Sequence, residues 1–493
     1  MPCTTILAGK NATFDGSTFM ARNEDSPSKV FTPKKFIVVS EKEQPRHYKA
    51  VLSKFEMDLP DNPLRYTAVP NSNPKEGIWG EAGINSLNVA MSETETITSN
   101  ARVQMADPCL EKEGIGEEDM LTIVLPYIKS AREGVERLGS LIEEYGTYEM
   151  NGIGFQDVNE VWWFETIGGH HWIAKRVPDD SYVVMPNQLG IDSFDFEDAL
   201  KGKAENHMCS KDMIDFINDN NLDLSQDGSM TDFDVRAAFG SHDDSDHVYN
   251  TPRAWFMGRY LNPTTYKWDG ADADYTPESD NIPWSFVPEH KITVEDVKYV
   301  LSAYYQGTDY DPYSKHNNAE KRGMYRPIGI SRNNFLALTQ LRPGKPKETM
   351  AIQWIAMGSN AFNAFVPFYA NINSTPDYFN NTTDTVSTEN FYWANRLIGA
   401  LADAYYHQCS NHIERYQNAV AYKCGYSLNE SDKAVEEMLS KAKKPSSAKI
   451  SEKLEKYNQK VADIAKEETD KVLDKVLYEA SCKMKNSFAR SDA

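Results

Sequence analysis

Cys3, Arg22 and Asp25 are the residues of the opening stretch MPCTTILAGKNATFDGSTFMARNED whose types could do chemistry together. The thiolate is the nucleophilic form of cysteine, its ordinary pKa is about 8.5, and a nearby cation lowers that value. A guanidinium held beside Cys3 would therefore activate it. The plainer reading is a cysteine that only packs, because free cysteine is among the most buried residue types.

Two strands must hold these groups together. Residues 3–8 have the β-branched and apolar content of a strand, Gly9-Lys10-Asn11 and Asp15-Gly16 carry turn chemistry, and residues 17–22 read as the returning strand. Pairing Gly9 with Gly16 sets Cys3 opposite Arg22 in an antiparallel ladder. Cys3, Thr5, Leu7, Thr18, Met20 and Arg22 then share one face of the hairpin. Neither face is charged before the strands end, so the hairpin is expected to be covered on both sides, as a sheet is in a layered α/β/β/α sandwich. It delivers the thiol, the guanidinium and Asp25 to one end.

Further along, residues 35–40, 66–70 and 83–92 read as short strands. Residues 117–145 repeat apolar positions at three and four behind the acids Glu117, Glu118 and Asp119, which predicts an amphipathic helix or helix pair kinked at Pro126. Residues 152–156, 160–165, 171–174 and 182–185 read as an antiparallel meander at the core of a second sheet. Asn187 follows directly, either as a turn residue after Pro186 or as an amide donor projecting from the sheet's end. Ser241-His-Asp-Asp-Ser-Asp-His247 could meet a divalent cation, but no ligand spacing fits, and a solvated loop with no catalytic metal is expected. Arg253, in Thr251-Pro-Arg-Ala-Trp255, is either a surface ion-pair partner or a functional cation. Residues 292–305 predict a helix capped by Thr293, residues 334–341 and 349–357 predict strands, and 358–369 an aromatic core segment. Long helical patterns fill 389–422 and 447–485. The apolar stripe of the second, from Leu454 through Tyr457, Val461, Ile464 and Val472 to Val476, serves either a self-packed pair or contacts in a homo-oligomer.

The 493 residues include 52 Lys plus Arg against 73 Asp plus Glu, a formal net charge of -21. Such a surface repels nucleic acid and anionic membranes, so neither is expected as a partner and small substrates are. The 40% hydrophobic and 25% charged content is that of a folded globular protein. Six cysteines without CxxC spacing argue against a disulfide framework or a zinc ribbon. With no basic-then-apolar leader and no long apolar run, a cytoplasmic protein is expected.

Cys-Thr-Thr-Ile-Leu at 3–7 and Asp-Gly-Ser-Thr-x-x-Ala-Arg-Asn-Glu-Asp at 15–25 resemble the dipeptidase A family of cysteine peptidases. That family is a branch of the N-terminal-nucleophile hydrolases, related to penicillin V acylase and bile salt hydrolase. The likeness continues through Asn-Glu-Val-Trp-Trp-Phe-Glu at 159–165, Gly-x-His-x-Trp-x-Ala-x-Arg-Val-Pro-Asp-Asp at 168–180, Asn-Gln at 187–188, Thr-Pro-Arg-Ala-Trp at 251–255 and Arg-Pro-Ile at 326–328.

The resemblance implies a mixed α/β (α+β) fold, a four-layer αββα sandwich of two stacked, mainly antiparallel sheets. Residues 1–385 would form the catalytic domain and 386–493 a C-terminal helical extension. It implies hydrolysis of dipeptides, without a cofactor, through Cys3 as nucleophile and an acyl-enzyme. The general base would be the α-amine of Cys3 itself, whose ordinary pKa of about 7.7–8.0 suits proton traffic near neutral pH. That role requires removal of Met1 and Pro2, by self-cleavage or by an aminopeptidase. Arg22 and Asp25 would orient the nucleophile and its amine. Asn187 would hold the oxyanion with a second donor near Ser92 and Glu93, for which Ser92 or a backbone N–H is a better choice than an anionic glutamate. Arg253 would stabilise charge near Cys3 or grip a substrate carboxylate. Two other functions stay open: the same machinery acting on a non-peptide amide of the acyl-amino acid, penicillin or bile-salt type, or a non-catalytic binding member that keeps Met1 and Pro2.

Overall fold

The computed structural model describes residues 3–95, 97–224, 228–241, 243–316, 319–442 and 445–486. Met1, Pro2 and His242, all of which figure in the expectations above, lie outside the described residues. In chain order the strands begin with the hairpin of β1 (Cys3–Ala8) and β2 (Thr18–Asp25). Two small ribbons follow, pairing β3 (Ile37–Val39) with β6 (Tyr66–Ala68) and β4 (His47–Lys49) with β5 (Glu56–Asp58). Next come β7 (Ala82–Ile84), β8 (Ala90–Glu95), β9 (Asn151–Gln156), β10 (Val161–Thr166), β11 (Trp172–Arg176), β12 (Tyr182–Met185) and β13 (His207–Cys209). The last are β14 (Ser285–Phe286), β15 (Asn333–Leu341), β16 (Ala351–Met357) and β17 (Val366–Tyr369).

Two large antiparallel sheets result, one of seven strands in the order β14-β12-β1-β2-β15-β16-β17 and one of six in the order β13-β11-β10-β9-β8-β7. With the helices they make a mixed α/β fold. The hairpin lies at the centre of the larger sheet, and every residue of β1 and β2 is buried. One face of that sheet, with Leu7, Met20 and Met185, joins Ala90, Trp163 and Ile173 of the other sheet in a single apolar cluster. The sheets approach closely there: a Cβ on Gly154 would lie 2.4 Å from the Met20 sulfur. The opposite face, with Ile6, Phe19 and Ala21, shares a cluster with Trp255, Val300, Ile398 and Val461 from four helices. Outside the six-stranded sheet, Met91, Phe155 and Phe164 pack on Leu121, Val135 and Leu138.

Two details differ from the sequence reading. Ala8 pairs with Phe19 and Cys3 with Glu24, so the hairpin register is displaced by two residues and Thr5, not Cys3, faces Arg22. A shift of two preserves side-chain parity, and Arg22 stays on the Cys3 face. The segment 182–185 is no part of the meander either; β12 leaves the second sheet and pairs with β1, Thr5 facing Met185. Continued by two residues, that ladder brings Asn187 beside Cys3.

The helices follow their local signals. Glu117–Val124 and Ala131–Tyr145 are separate helices, divided by a tight turn that contains Pro126, and Ser130 caps the second by accepting from the Glu133 N–H. Thr293 and Asp296 form a reciprocal cap on Val294–Leu301. The helices Phe391–Ala404, Tyr406–Ser440 and Ser447–Ser481 close the chain. The predicted stripe of the last is spent within the chain, in the same cluster as β16 and β17. Among the described residues no helix is long and apolar enough to cross a membrane.

Candidate active site

Cys3 begins the central hairpin, is wholly buried, and by strand alternation shares the face of Leu7, which packs between the sheets. Arg22, diagonal to it across the ladder, puts Nη2 2.6 Å from its Sγ. The guanidinium also bonds Glu81 and reaches Glu117 at 3.2 Å. Lys34 joins from the other side, 2.5 Å from Glu24 and 3.3 Å from Glu81. None of these side chains is exposed. Charges so buried persist only where opposite charges and hydrogen bonds surround them.

The electrostatics of the thiol differ from the expectation of simple activation. Burial pushes the Cys3 pKa up to about 12; Arg22 pulls it down, but Glu117 and Glu81 add to the rise. Burial also opposes the charge on Arg22, yet Cys3, Glu81 and Glu117 outweigh it and hold the guanidinium well above its ordinary pKa. Burial thus works against the thiolate, and Arg22 is the side chain that favours it.

On the other side of Cys3 the backbone is gripped. The Cys3 N–H donates to Asn187 Oδ1 at 3.2 Å. Arg253, buried on the helix Thr251–Leu261, donates to the Cys3 carbonyl, to Thr4 Oγ1 at 2.7 Å and to Asn187 Oδ1 at 2.8 Å. It also reaches Asn250 Oδ1 at 2.6 Å and the Tyr249 carbonyl at 2.8 Å, so all three guanidinium nitrogens meet protein acceptors. Burial, with repulsion from Arg326, lowers its pKa to about 9. The Asn250 amide accepts from Asn187 N–H at 3.2 Å and donates to Asn187 C=O at 3.1 Å, a pair of bonds that fixes the Asn187 backbone. With Oδ1 of Asn187 turned to Cys3 and Arg253, its Nδ2 end is directed away from them.

The remaining candidates occupy a second ring. Asp25, at the end of β2, is bound by Arg326 and by the Asn333 amide rather than by Cys3. Arg326 in turn lies over the Tyr249 ring, 5.0 Å from its centroid. Ser92 sits on β8 opposite Gly154, so it shares the inter-sheet face; its hydroxyl is buried and has no hydrogen-bond partner among the described residues. Neighbouring Glu93 is fully buried too, and burial reinforced by Glu81 and Glu117 raises its carboxyl well above the ordinary range. A cavity of about 320 Å³ opens beside Asn187, Tyr249 and Asn250. Asp243 and Asp246, from the acidic loop expected to be solvated, also line it. Among the described residues no three His, Cys, Asp or Glu side chains converge to hold a metal ion.

Sequence reasoning missed Glu24, Lys34, Glu81, Glu117 and Asn250. Glu117 is the helix-start acid expected from the sequence, at the first position of its helix, and from there it also enters the Arg22 cluster, which the local pattern did not announce. Its neighbours are buried as well: Glu118 accepts from the N–H groups of Val51, Leu52 and Ile78, and Asp119 caps Gly116. Glu81 is held at φ 67°, a left-handed conformation that costs a non-glycine residue roughly 1–2 kcal/mol. Nothing local in Trp79-Gly-Glu-Ala82 announces it.

The model of peptidase family C69 matches residues 2–419. A dipeptidase of Bifidobacterium longum is 54% identical over the whole of both chains, and a probable dipeptidase A of Streptococcus pyogenes serotype M3 is 52% identical, again over both chains in full. Dipeptidase A of Lactobacillus helveticus is 41% identical over 97% of this chain and 96% of its own. The match runs from the buried cysteine through the acidic cluster and the Arg253 helix into the C-terminal helices, and the chain belongs to peptidase family C69.

Proposed function

We propose that this protein is a cysteine dipeptidase whose nucleophile is the Cys3 thiol, with the α-amine of Cys3 freed by removal of Met1 and Pro2. The observation that carries the reading is the two-sided hold on one residue: Arg22 Nη2 lies 2.6 Å from the sulfur while Asn187 Oδ1 takes the N–H of the same residue at 3.2 Å. In the trimmed chain that nitrogen is an amine, covalently fixed next to the thiol whose proton it can take. The amine takes the thiol proton as sulfur attacks the peptide carbonyl, and it returns the proton to the leaving amine as the C–N bond breaks. Water then releases the acyl group by the reverse exchange. Asn187 Nδ2 and either the Ser92 hydroxyl or a backbone N–H hold the oxyanion. Arg253 acts as a positioning residue for Cys3 and Asn187, and Asp25 acts through Arg326.

The names of the relatives support dipeptides over other amides. We read the two sheets and their flanking helices as the four-layer αββα sandwich of the N-terminal-nucleophile hydrolases, with residues 386–493 as a helical extension. The cysteines, all free among the described residues, suit the cytoplasm. A panel of dipeptides, tripeptides, penicillin V and taurine-conjugated bile salts tests the substrate class. Dipeptides are expected to be hydrolysed with kcat/KM at least about 10²-fold above the other three, a gap of the size that recognition of specific polar groups supplies. Turnover confined to the acyl amides would replace the dipeptidase reading with the amidase one.

A further inference from the structure

Arg253 and Arg326 are buried guanidinium groups close enough to repel one another, and each grips a different part of the site. Arg253 holds Cys3, Thr4 and Asn187, while Arg326 holds Asp25. Arg253 forms no ion pair among the described residues; its acceptors are backbone carbonyls, a hydroxyl and two side-chain amides, all neutral. Two buried cations in this arrangement need negative charge density beside them.

The ring of Tyr249 supplies it to both. The Arg253 guanidinium carbon lies 5.3 Å from the ring centroid and that of Arg326 5.0 Å, each within cation–π range. A third cation meets the hydroxyl: Arg332 Nη2 donates to Tyr249 Oη at 2.7 Å, and its Nη1 donates to the Ser26 carbonyl. The backbone adds two bonds, Arg253 Nε donating to the Tyr249 carbonyl at 2.8 Å and the Arg326 N–H to the Val248 carbonyl at 3.2 Å. Through these three arginines one side chain is tied to the start of β1, the end of β2 and Asn187. The ring belongs to none of the apolar clusters that make the core, so core packing does not account for its place.

We infer that Tyr249 is a positioning residue of the Cys3 reaction, its ring holding Arg253 and Arg326 together so that Cys3, Asn187 and Asp25 keep one arrangement. This inference rests on the Cys3 dipeptidase reading and adds a residue to it that acts through two others. Without the ring, repulsion between the two guanidinium groups is unopposed, and it pushes Arg253 off its acceptors at Cys3 and Asn187. A nucleophile misplaced in this way loses rate rather than substrate affinity.

The test uses two variants of the full chain, Tyr249→Leu, which removes the ring, and Tyr249→Phe, which removes only the hydroxyl. On a dipeptide, kcat is expected to fall roughly 30- to 100-fold in Tyr249→Leu, with KM within about 3-fold of the wild type, and only about 2- to 5-fold in Tyr249→Phe. Tyr249 also lines the cavity beside Asn187, so a loss carried by KM alone would make it a substrate contact and overturn the inference. Equal losses in the two variants, or none in Tyr249→Leu, overturn it as well. Urea unfolding gives a readout independent of turnover. Tyr249→Leu is expected to lower the equilibrium constant for folding at least about 5-fold more in the wild type than in an Arg326→Met background, where the ring has one cation fewer to hold. Additive effects of the two substitutions overturn the inference. Coupled effects with no dipeptide turnover by the wild type mark failure of the Cys3 reading instead.

Discussion

Cys3→Ala is expected to lower kcat on a dipeptide by at least about 10⁴-fold, while the protein keeps its fold. Alanine removes one buried sulfur atom and leaves the β1 ladder with β2 and β12 intact. Alanine at Cys109, Cys209, Cys409, Cys424 or Cys482 removes no group from the site and is expected to leave turnover near the wild-type rate. Initial rates and thermal melts of the six variants check this together. A Cys3→Ala protein with more than a few per cent of the wild-type rate would mean that the sulfur is not the nucleophile.

The largest effect on stability is expected from Arg22→Met. The side chain fills the space but leaves Glu81 and Glu117 without the guanidinium that lies between them, and uncovering a buried charge of this kind costs about 3–5 kcal/mol. Activity falls with it, because Cys3 Sγ loses its Nη2 contact. The charge explanation makes a second demand: adding Glu81→Gln to Arg22→Met should recover part of the lost stability, since one of the two carboxylates that lost the guanidinium becomes neutral while Lys34 keeps Glu24 as its partner. Urea unfolding of the wild type, the single variant and the double variant reads both effects. A loss below about 1 kcal/mol in Arg22→Met, or a further loss in the double variant, would show that packing rather than charge pairing holds this site.

The hairpin shows what could be read from residue types and what could not. Side-chain alternation has period two, so Cys3 and Arg22 shared a face in any register that conserved parity. The register itself depended on how far the turn extended, and Gly9 and Gly16 do not close it, because residues 9–17 all lie in the connection. The segment 182–185 has the same strand pattern as its neighbours, and only the non-local pairing with β1 decides which sheet it enters. That pairing also places Asn187. The buried charges were the least legible part. Glutamate and lysine read as surface residues in any window, and the reason Glu24, Lys34, Glu81 and Glu117 are inside is that they neutralise one another across segments far apart in sequence. Arg326 shows the same dependence: its motif was visible, but its partner Asp25 is held from a distant strand end.

The account turns on the nitrogen of Cys3, which can act as a base only if it is a free amine. The most direct measurement is the intact mass of the purified chain, with its N-terminal residue, on the same sample that is assayed with a dipeptide. The account predicts an active protein that has lost Met1 and Pro2 and begins at Cys3. An active protein that still carries Pro2 would contradict it, because an amide nitrogen cannot take the thiol proton.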